Sequence, residues 1–223
     1  PILRALDALG DYTYCIQFTI NPYGKSWEGN LPPLSERLDT FRRLADAIGP
    51  ERMLWRYSPV LVDREQTEAF HLEAFSAIAR SLAGSMVRCR LSFIEIYDKI
   101  RFAMDKRGVR PLEEEQKNRM AGAFRDLAKS HGMTLGACGN TDLKAAGLAP
   151  VGCIDKEMIA GVTGKHFDLK KDPGQGKDCY CAASVDVGSY NTRLHGCAYC
   201  YANVNRALST QNKAARYEKN GPM

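Results

Sequence analysis

Four cysteines lie close together near the end of the sequence, within residues 179–203. Cys179 and Cys181 are separated by one residue, and Cys197 and Cys200 by two. Such close pairs can direct their sulfur atoms at one metal ion, and nearby glycines let the backbone fold around it. Cys179 and Cys181 are too close to bridge each other easily. The segment therefore predicts a metal site with these four thiolate ligands, and residue type alone leaves zinc and an iron–sulfur cluster both open.

The composition favours a protein from a reducing compartment. Eight cysteines occur in 223 residues without a secretory signal or a long apolar run, and disulfides are rare where thiols are kept reduced. We therefore expect a cytoplasmic protein that does not enter a membrane. The formal net charge of +5 is spread without a dense basic block, so the charge pattern does not favour nucleic acid as a partner, although a basic tail leaves it open.

Four strand-like segments alternate with helix-like segments in the first part of the chain. The predicted strands, rich in apolar, aromatic and β-branched residues, are residues 12–20, 53–57, 87–96 and 134–138. The predicted helices begin at Leu34, after Thr67 and at Pro111, and each has apolar residues three or four positions apart. Such alternation favours parallel strands joined by right-handed crossovers.

An α/β fold of this kind is an open doubly wound sheet or part of a (β/α) barrel. We expect a partial barrel, because a complete one takes about 250 residues and a preceding segment would supply its other strands. The predicted organisation is a partial barrel over residues 1–138, an irregular connection over 139–178, a cysteine-rich metal-binding segment over 179–205 and a polar basic tail over 206–223.

Polar residues near the carboxyl ends of the predicted strands are candidates for catalysis, because chemistry in such folds takes place there. Arg56 would bind an anionic ligand or form a buried ion pair with Glu95 or Asp98. Glu95 is the candidate acid or base. Cys138, which ends the fourth predicted strand, and Cys153 could both approach the metal group.

Four other residues receive no functional role from the sequence. Cys15 and Cys89 have apolar neighbours in predicted strands, so we expect both in the core. His71 has no partner at metal-ligand spacing and is expected on a helix surface. Arg90 alternates with apolar residues, so we expect it to be solvated or paired.

The residues around the last two cysteines resemble a known cofactor loop. The run His195–Ala202 reads HGCAYCYA and resembles the loop of radical S-adenosylmethionine enzymes, C-x3-C-x2-C with an aromatic residue before the last cysteine. The resemblance implies a four-iron four-sulfur cluster with one iron open for S-adenosylmethionine, and it makes Tyr199 and Tyr201 candidates for cofactor binding.

Arg193 occupies the first cysteine position of that pattern. An arginine cannot ligate iron and is a permanent cation. Either a cysteine at 138, 153, 179 or 181 supplies the missing ligand, or the protein binds another metal, or the cluster has been lost. Four thiolates on one cluster would leave no open iron and make the site structural or electron-transferring.

A longer part of the chain resembles a bacterial family known as domain of unknown function eighteen forty-eight. The resemblance lies in the segments 153–157, 186–188 and 197–202, and upstream in 18–19, 55–57 and 92–97. It implies a C-terminal cysteine cluster similar to that of the radical enzymes, without an established reaction. It also implies that an N-terminal part precedes residue 1.

Together these features predict an iron–sulfur protein, a radical S-adenosylmethionine-like enzyme with Arg56 and Glu95 as catalytic residues. Its substrate, a small molecule or a macromolecule, stays unknown, and the reaction requires an electron donor. The alternative is a non-catalytic module whose cysteines hold zinc or a closed cluster for folding or for contact with a partner, including nucleic acid.

Overall fold

A computed structural model describes residues 6–10, 12–139, 143–176, 179–203 and 207–212 and shows a mixed α/β architecture. The strands are β1 (Ile16–Thr19), β2 (Met53–Val60), β3 (Arg88–Phe93) and β4 (Thr134–Ala137). They form one parallel sheet in the order β1-β2-β3-β4. The predicted class and parallel pairing are confirmed, whereas the sheet formed by the described residues is open and shows no closed barrel.

Helices lie between the strands, and the last helix follows the last strand. They are α1 (Leu34–Ile48), α2 (Glu68–Leu82), α3 (Asp98–Lys106), α4 (Glu114–Ser130) and α5 (Lys156–Thr163). The Thr67 hydroxyl accepts a hydrogen bond from Phe70 N at 3.2 Å and so caps α2 as predicted. The charged helix α3 was not predicted. No helix within the described ranges has both the length and the apolar character to cross a bilayer.

Several predicted boundaries differ from the structure. The first strand begins at Ile16 rather than at residue 12, and the third ends at Phe93 rather than at residue 96. The third predicted helix begins at Glu114 rather than at Pro111. Of the predicted tail, residues 207–212 are helical, and residues 206 and 213–223 lie outside the described residues.

Helices α1, α2 and α4 pack on one face of the sheet. Trp55 and Tyr57 of β2 are fully buried there, and their rings contact Phe75 of α2 and Phe124 of α4. The rings of Trp55 and Phe75 are stacked with centroids 4.7 Å apart. Burial of one such side chain stabilises the fold by about 2 kcal/mol.

The opposite face of the sheet is polar. Because successive side chains of a strand point to opposite faces, this face carries Arg56 and Ser58 from β2 and Arg90 and Ser92 from β3. Parallel sheets are usually apolar on both faces, since both are covered by helices. We call this side of the sheet the polar face.

Of the two cysteines predicted in the core, one is there. Cys89 on β3 is fully buried. Cys15 is exposed, because β1 begins only at Ile16. The prediction for Cys15 is therefore wrong.

His71 is fully buried rather than on a helix surface. Its Nε2 lies 2.6 Å from the Leu61 carbonyl oxygen, and its Nδ1 lies 2.8 Å from the Tyr57 hydroxyl. A carbonyl only accepts hydrogen bonds, so Nε2 carries the proton and the Tyr57 hydroxyl donates to Nδ1. The ring therefore joins α2 to β2 and to the segment after it, in its neutral form.

We expect His71 to make the protein less stable as the pH falls from 7 to 5. Burial lowers the pKa of His71 below its usual 6.5, so below that pH the unfolded chain binds the proton more readily than the folded one. The contribution of the neutral ring is complete above the unfolded pKa and is lost as the pH falls from that value to the lower pKa of the folded protein. The slope should not exceed about 1.4 kcal/mol per pH unit, and urea unfolding at several pH values measures it.

A His71→Gln variant provides the control, because glutamine can donate and accept but does not titrate. We expect it to be less stable than the wild type at pH 7.5 and to show a shallower decline toward pH 5. Equal slopes in the two proteins would contradict the assignment.

Candidate functional site

The carboxyl edge of the sheet brings together cysteines that are distant in sequence. Residues 149–151 run beside β4, with Ala137 N donating to Ala149 O at 3.2 Å and Val151 N donating to Ala137 O at 2.8 Å. Cys138 directly follows β4, and Cys153 follows the neighbouring segment. The two cysteines therefore leave adjacent parallel segments at the same edge.

Hydrogen bonds connect these cysteines to the first pair of the cysteine-rich segment. Cys138 Sγ lies 3.0 Å from Cys153 Sγ. The backbone N–H of Cys153 donates to Cys181 Sγ at 3.1 Å, and that of Cys181 donates to Cys179 Sγ at 3.5 Å. We call Cys138, Cys153, Cys179 and Cys181 the edge cysteine group.

A glycine makes the close approach of Cys181 possible. A Cβ atom at Gly152 would lie 2.6 Å from Tyr180 O and 2.8 Å from Cys181 Cα, so any larger residue would push the two segments apart. On the other side, Gln17 Nε2 of β1 donates to Cys153 O at 2.5 Å. The segment containing Cys153 is thus held against β1 and β4 together.

Positive charge surrounds Cys153. The hydrogen bond from Cys138 and the nearby charges of Arg56 and Arg90 lower the pKa of Cys153 to about 6, although burial opposes them. The same hydrogen bond raises the pKa of Cys138 above its usual value. These contacts favour the thiolate of Cys153, the form of cysteine that binds metals and reacts.

Cys197 and Cys200 line a different pocket, of about 410 Å³. Arg193, which occupies the expected cysteine position, lines the same pocket, as does Lys99 of α3. We call this the terminal loop pocket. Here two thiols and two cations face one space.

A buried carboxylate fastens the terminal loop to the carboxyl edge. Glu28 accepts hydrogen bonds from the Tyr199 hydroxyl, from Asn21 Nδ2 at 3.3 Å and from Arg37 Nη1 at 3.2 Å. Asn21 follows β1, and Ala198 N donates to the Trp27 carbonyl at 2.8 Å. Burial raises the pKa of Glu28 in spite of these partners.

The electrostatics of the terminal loop disfavour a thiolate. Burial and then the charge of Glu28 raise the pKa of Cys197 to about 11. Cys153, by contrast, lies beside arginines. Metal binding requires deprotonated cysteine, and in the edge cysteine group the surroundings favour this form at Cys153. The hydrogen bond to Cys153 raises the pKa of Cys138, and burial raises that of Cys181.

The sequence placed Cys179, Cys181, Cys197 and Cys200 in one metal site. The structure puts the first pair in the edge cysteine group and the second pair in the terminal loop pocket, and no hydrogen bond joins the pairs within the described ranges. In that part of the chain, no group of three or more histidine, cysteine, aspartate or glutamate side chains is arranged to hold a metal ion. The four-cysteine site stays a prediction.

The two tyrosines predicted to bind a cofactor have other contacts. The Tyr199 hydroxyl donates to Glu28. Tyr201 is 45% exposed, and its ring centroid lies 5.2 Å from that of Tyr97. Their role toward a cofactor stays a prediction.

Arg56 lacks the ion pair that the sequence suggested. Asp98 pairs with Arg101 at 3.0 Å, and the exposed Glu95 accepts from the Tyr97 hydroxyl at 2.8 Å. Arg56 Nε is buried without a hydrogen-bond partner. Catalytic roles for Arg56 and Glu95 stay predictions.

Sequence reasoning missed several residues that shape the edge. Arg90 is 4% exposed and its Nη2 lies 2.5 Å from Asp155 Oδ2. Of the two alternatives that the sequence left open, solvated or paired, the structure shows the second, and the place of Arg90 in the site was not foreseen. Asp155 also caps α5, because its Oδ1 accepts from Glu157 N at 2.9 Å. The alternation of polar and apolar residues in β3 indicated that Arg90 lies on the opposite face from the core. No local sequence pattern indicates that the backbone at Gly152 lies against Tyr180 and Cys181.

Comparison with protein families matches residues 1–202 to the model described as "Domain of unknown function (DUF1848)". The chain belongs to this family. The family resemblance stated from the sequence is confirmed, whereas the likeness of its cysteines to those of radical enzymes is not. Comparisons of the DUF1848 chain with curated proteins and with solved structures give no match, so its function has to be argued from the site.

We expect Gly152→Ala to destabilise the DUF1848 chain. The added Cβ would overlap the Tyr180 carbonyl and force apart the segments that carry Cys153 and Cys181, at a cost of about 1–3 kcal/mol. Urea unfolding measures the change.

Gly161→Ala in α5 is the matched control, since its Cβ would have only Arg88 Nη2 nearby, at 3.6 Å. We expect it to stabilise the protein by about 0.5–1 kcal/mol. Unchanged stability in Gly152→Ala would show that the close approach does not hold the edge together.

Proposed function

We propose that this protein binds an iron–sulfur cluster through Cys138, Cys153 and Cys181. The observation that carries the proposal is the convergence of these three cysteines from separate segments, with Cys138 Sγ 3.0 Å from Cys153 Sγ and Cys153 N donating to Cys181 Sγ at 3.1 Å. Three thiolates are the ligand number that leaves one iron of a four-iron cluster open. The run that resembles the loop of radical enzymes, with Cys197 and Cys200, is separate from these three cysteines and lies in the terminal loop pocket.

The chemistry of this donor set fits a metal–thiolate centre. Thiolates are the ligands preferred by iron–sulfur clusters and by zinc, and backbone N–H groups directed at the sulfurs stabilise their negative charge. Arg56 and Arg90 add positive charge beside Cys153. These charges therefore favour the deprotonated form of Cys153, which is the form that a metal requires.

The spacing of the sulfurs requires a local adjustment. In a four-iron cluster each thiolate binds a different iron, so the ligand sulfurs lie farther apart than two thiolates on one tetrahedral zinc, which are about 3.8 Å apart given zinc–sulfur bonds of about 2.3 Å. Cys138 and Cys153 are closer than in either kind of site, at 3.0 Å. Their present contact is a hydrogen bond in which one thiol keeps its proton. Loss of that proton removes the attraction and makes the two sulfurs repel, which moves them in the direction that ligation needs.

We propose further that the protein is a radical S-adenosylmethionine-like enzyme of the cytoplasm, with an unknown substrate. When bound, a reduced cluster would supply the electron for cleavage of S-adenosylmethionine, taken from an electron donor. The chain itself would position the substrate over the polar face. The segment around Cys153 would exclude water from the carboxyl edge of the sheet.

We also propose that the open sheet is part of a (β/α) barrel. Its four strands are parallel and adjacent in sequence order, as the strands of such barrels are. The polar face would then line the barrel interior, where the carboxyl ends of the strands form the active site.

A closed four-thiolate site is the second candidate function, as a structural zinc or cluster centre. The hydrogen bond from Cys181 N to Cys179 Sγ at 3.5 Å favours it, because it places a fourth sulfur next to the other three. Such a site would stabilise the fold or support contact with a partner and would leave no open position.

Metal analysis of anaerobically purified protein tests both candidates. For the open cluster we expect about four irons and four sulfides per chain, and an electron paramagnetic resonance signal that changes when S-adenosylmethionine is added. Cys179→Ser should then keep its iron. Zinc near one per chain, lost in Cys179→Ser, would support the closed site instead and contradict the enzyme.

Two double variants identify the ligands. Replacement of Cys138 and Cys153 by serine should abolish metal binding, and the same replacement of Cys197 and Cys200 should not. Cys15→Ser is the control for loss of an exposed thiol. Loss of metal only when Cys197 and Cys200 are replaced would overturn the assignment to the edge cysteine group.

A further inference from the structure

The polar face carries two arginines directly opposite each other. Arg56 on β2 pairs in register with Arg90 on β3. Like charges in this cross-strand position repel, and a guanidinium does not lose its proton in a protein. The pair therefore needs negative charge close by.

Only one of the two forms an ion pair with a carboxylate within the described ranges. Arg90 is paired with Asp155 at 2.5 Å. The Arg56 side chain has no hydrogen-bond or ion-pair partner within the described ranges, and its Nε is buried. A guanidinium offers five N–H donors in a planar fork, and buried donors are rarely left without an acceptor. Arg56 is thus prepared for an acceptor that the described chain does not supply.

Hydroxyl groups lie on the same face as Arg56. Thr19 of β1 pairs with Arg56 in register. Ser58 lies two residues further along β2, and its Oγ is 2.5 Å from Ser92 Oγ of β3. All four side chains keep part of their surface exposed, so a ligand can reach them. Hydroxyls and a guanidinium together donate to the several oxygens of one oxyanion.

We propose that Arg56, with Ser58 and Ser92, binds the carboxylate or phosphate group of a small-molecule substrate. Arginine forms two parallel hydrogen bonds to either group, and this would fix the orientation of the molecule on the polar face, beside the edge cysteine group. The inference goes beyond the proposed metal site and does not require it, because the position of Arg56 in the sheet does not depend on a bound metal.

Thermal unfolding of the full chain in the presence of oxyanions tests the proposal. Metal-loaded and metal-free protein are each titrated with inorganic phosphate and, separately, with acetate, at an ionic strength held constant with chloride. We expect a saturable rise in Tm with at least one of them, since a ligand that binds the folded state stabilises it. The anion that binds more tightly identifies the group that the site takes.

Variants of the arginine separate binding from folding. Arg56→Gln should weaken anion binding in the Tm titration on the order of tenfold or more, because the positive charge and the paired N–H donors of the guanidinium are both lost. Arg56→Lys keeps the charge and loses the fork, so it should fold and still bind more weakly than the wild type. Arg43→Gln on α1 makes the same charge change at an exposed position and should leave the titration unchanged.

A variant with the opposite expected effect makes the test sharper. Asp155→Asn removes the counter-ion of Arg90 but preserves a good N-cap for α5. A second arginine then becomes free beside Arg56, so phosphate should bind severalfold more tightly. A purely structural role for Arg56 does not predict this gain.

Three results would overturn the proposal. The first is that neither phosphate nor acetate raises the Tm of the wild type. The second is that the anions raise the Tm of Arg56→Gln as much as that of the wild type. The third is that Arg56→Gln has a changed metal content but an unchanged anion titration. The last would make Arg56 a counter-ion of the cysteines. Cysteine variants that lose their metal but keep the anion titration would support an anion site that is independent of the metal. Absence of metal from the wild type would refute the metal proposal and leave the anion proposal standing.

Discussion

Parallel pairing of the four strands is the constraint on which the rest of the structure depends. It brings every carboxyl end to one edge, so that Asn21 after β1 and Cys138 after β4 lie on the same side of the molecule. Antiparallel neighbours would have divided these ends between two edges. Both parts of the cysteine-rich segment return to this edge, one through Glu28 and the other through Gly152.

The edge is electrostatically uneven, and this gives chemically identical side chains different properties. Cys153 faces Arg56 and Arg90, whereas Cys197 faces the buried carboxylate of Glu28. The pKa of the first thiol is lowered and that of the second is raised. Sequence spacing cannot reveal this difference, because the charges come from strands and loops far away along the chain.

Local patterns predicted the elements of the fold better than the site. Periodic apolar residues and the Thr67 cap identified α1 and α2, and the alternation of strands and helices predicted the parallel sheet. Helix α3 was missed because its only buried residues are Ile100 and Met104. The sequence named Cys138 and Cys153 as residues that could approach the metal group, but it did not predict that they join Cys179 and Cys181 apart from Cys197 and Cys200. That assembly depends on residues 149–151 lying beside β4 and on Gly152, which are contacts between distant segments.

The carboxylate of Asp155 has two partners, the first turn of α5 and Arg90. Whatever draws Arg90 away from this carboxylate changes the charge that holds the beginning of the helix. Conversely, fraying of that turn would release the guanidinium onto the polar face. The order of α5 and the availability of Arg90 on the polar face are therefore thermodynamically linked. Hydrogen exchange at the Glu157 amide reports whether the Arg90–Asp155 ion pair is formed or broken.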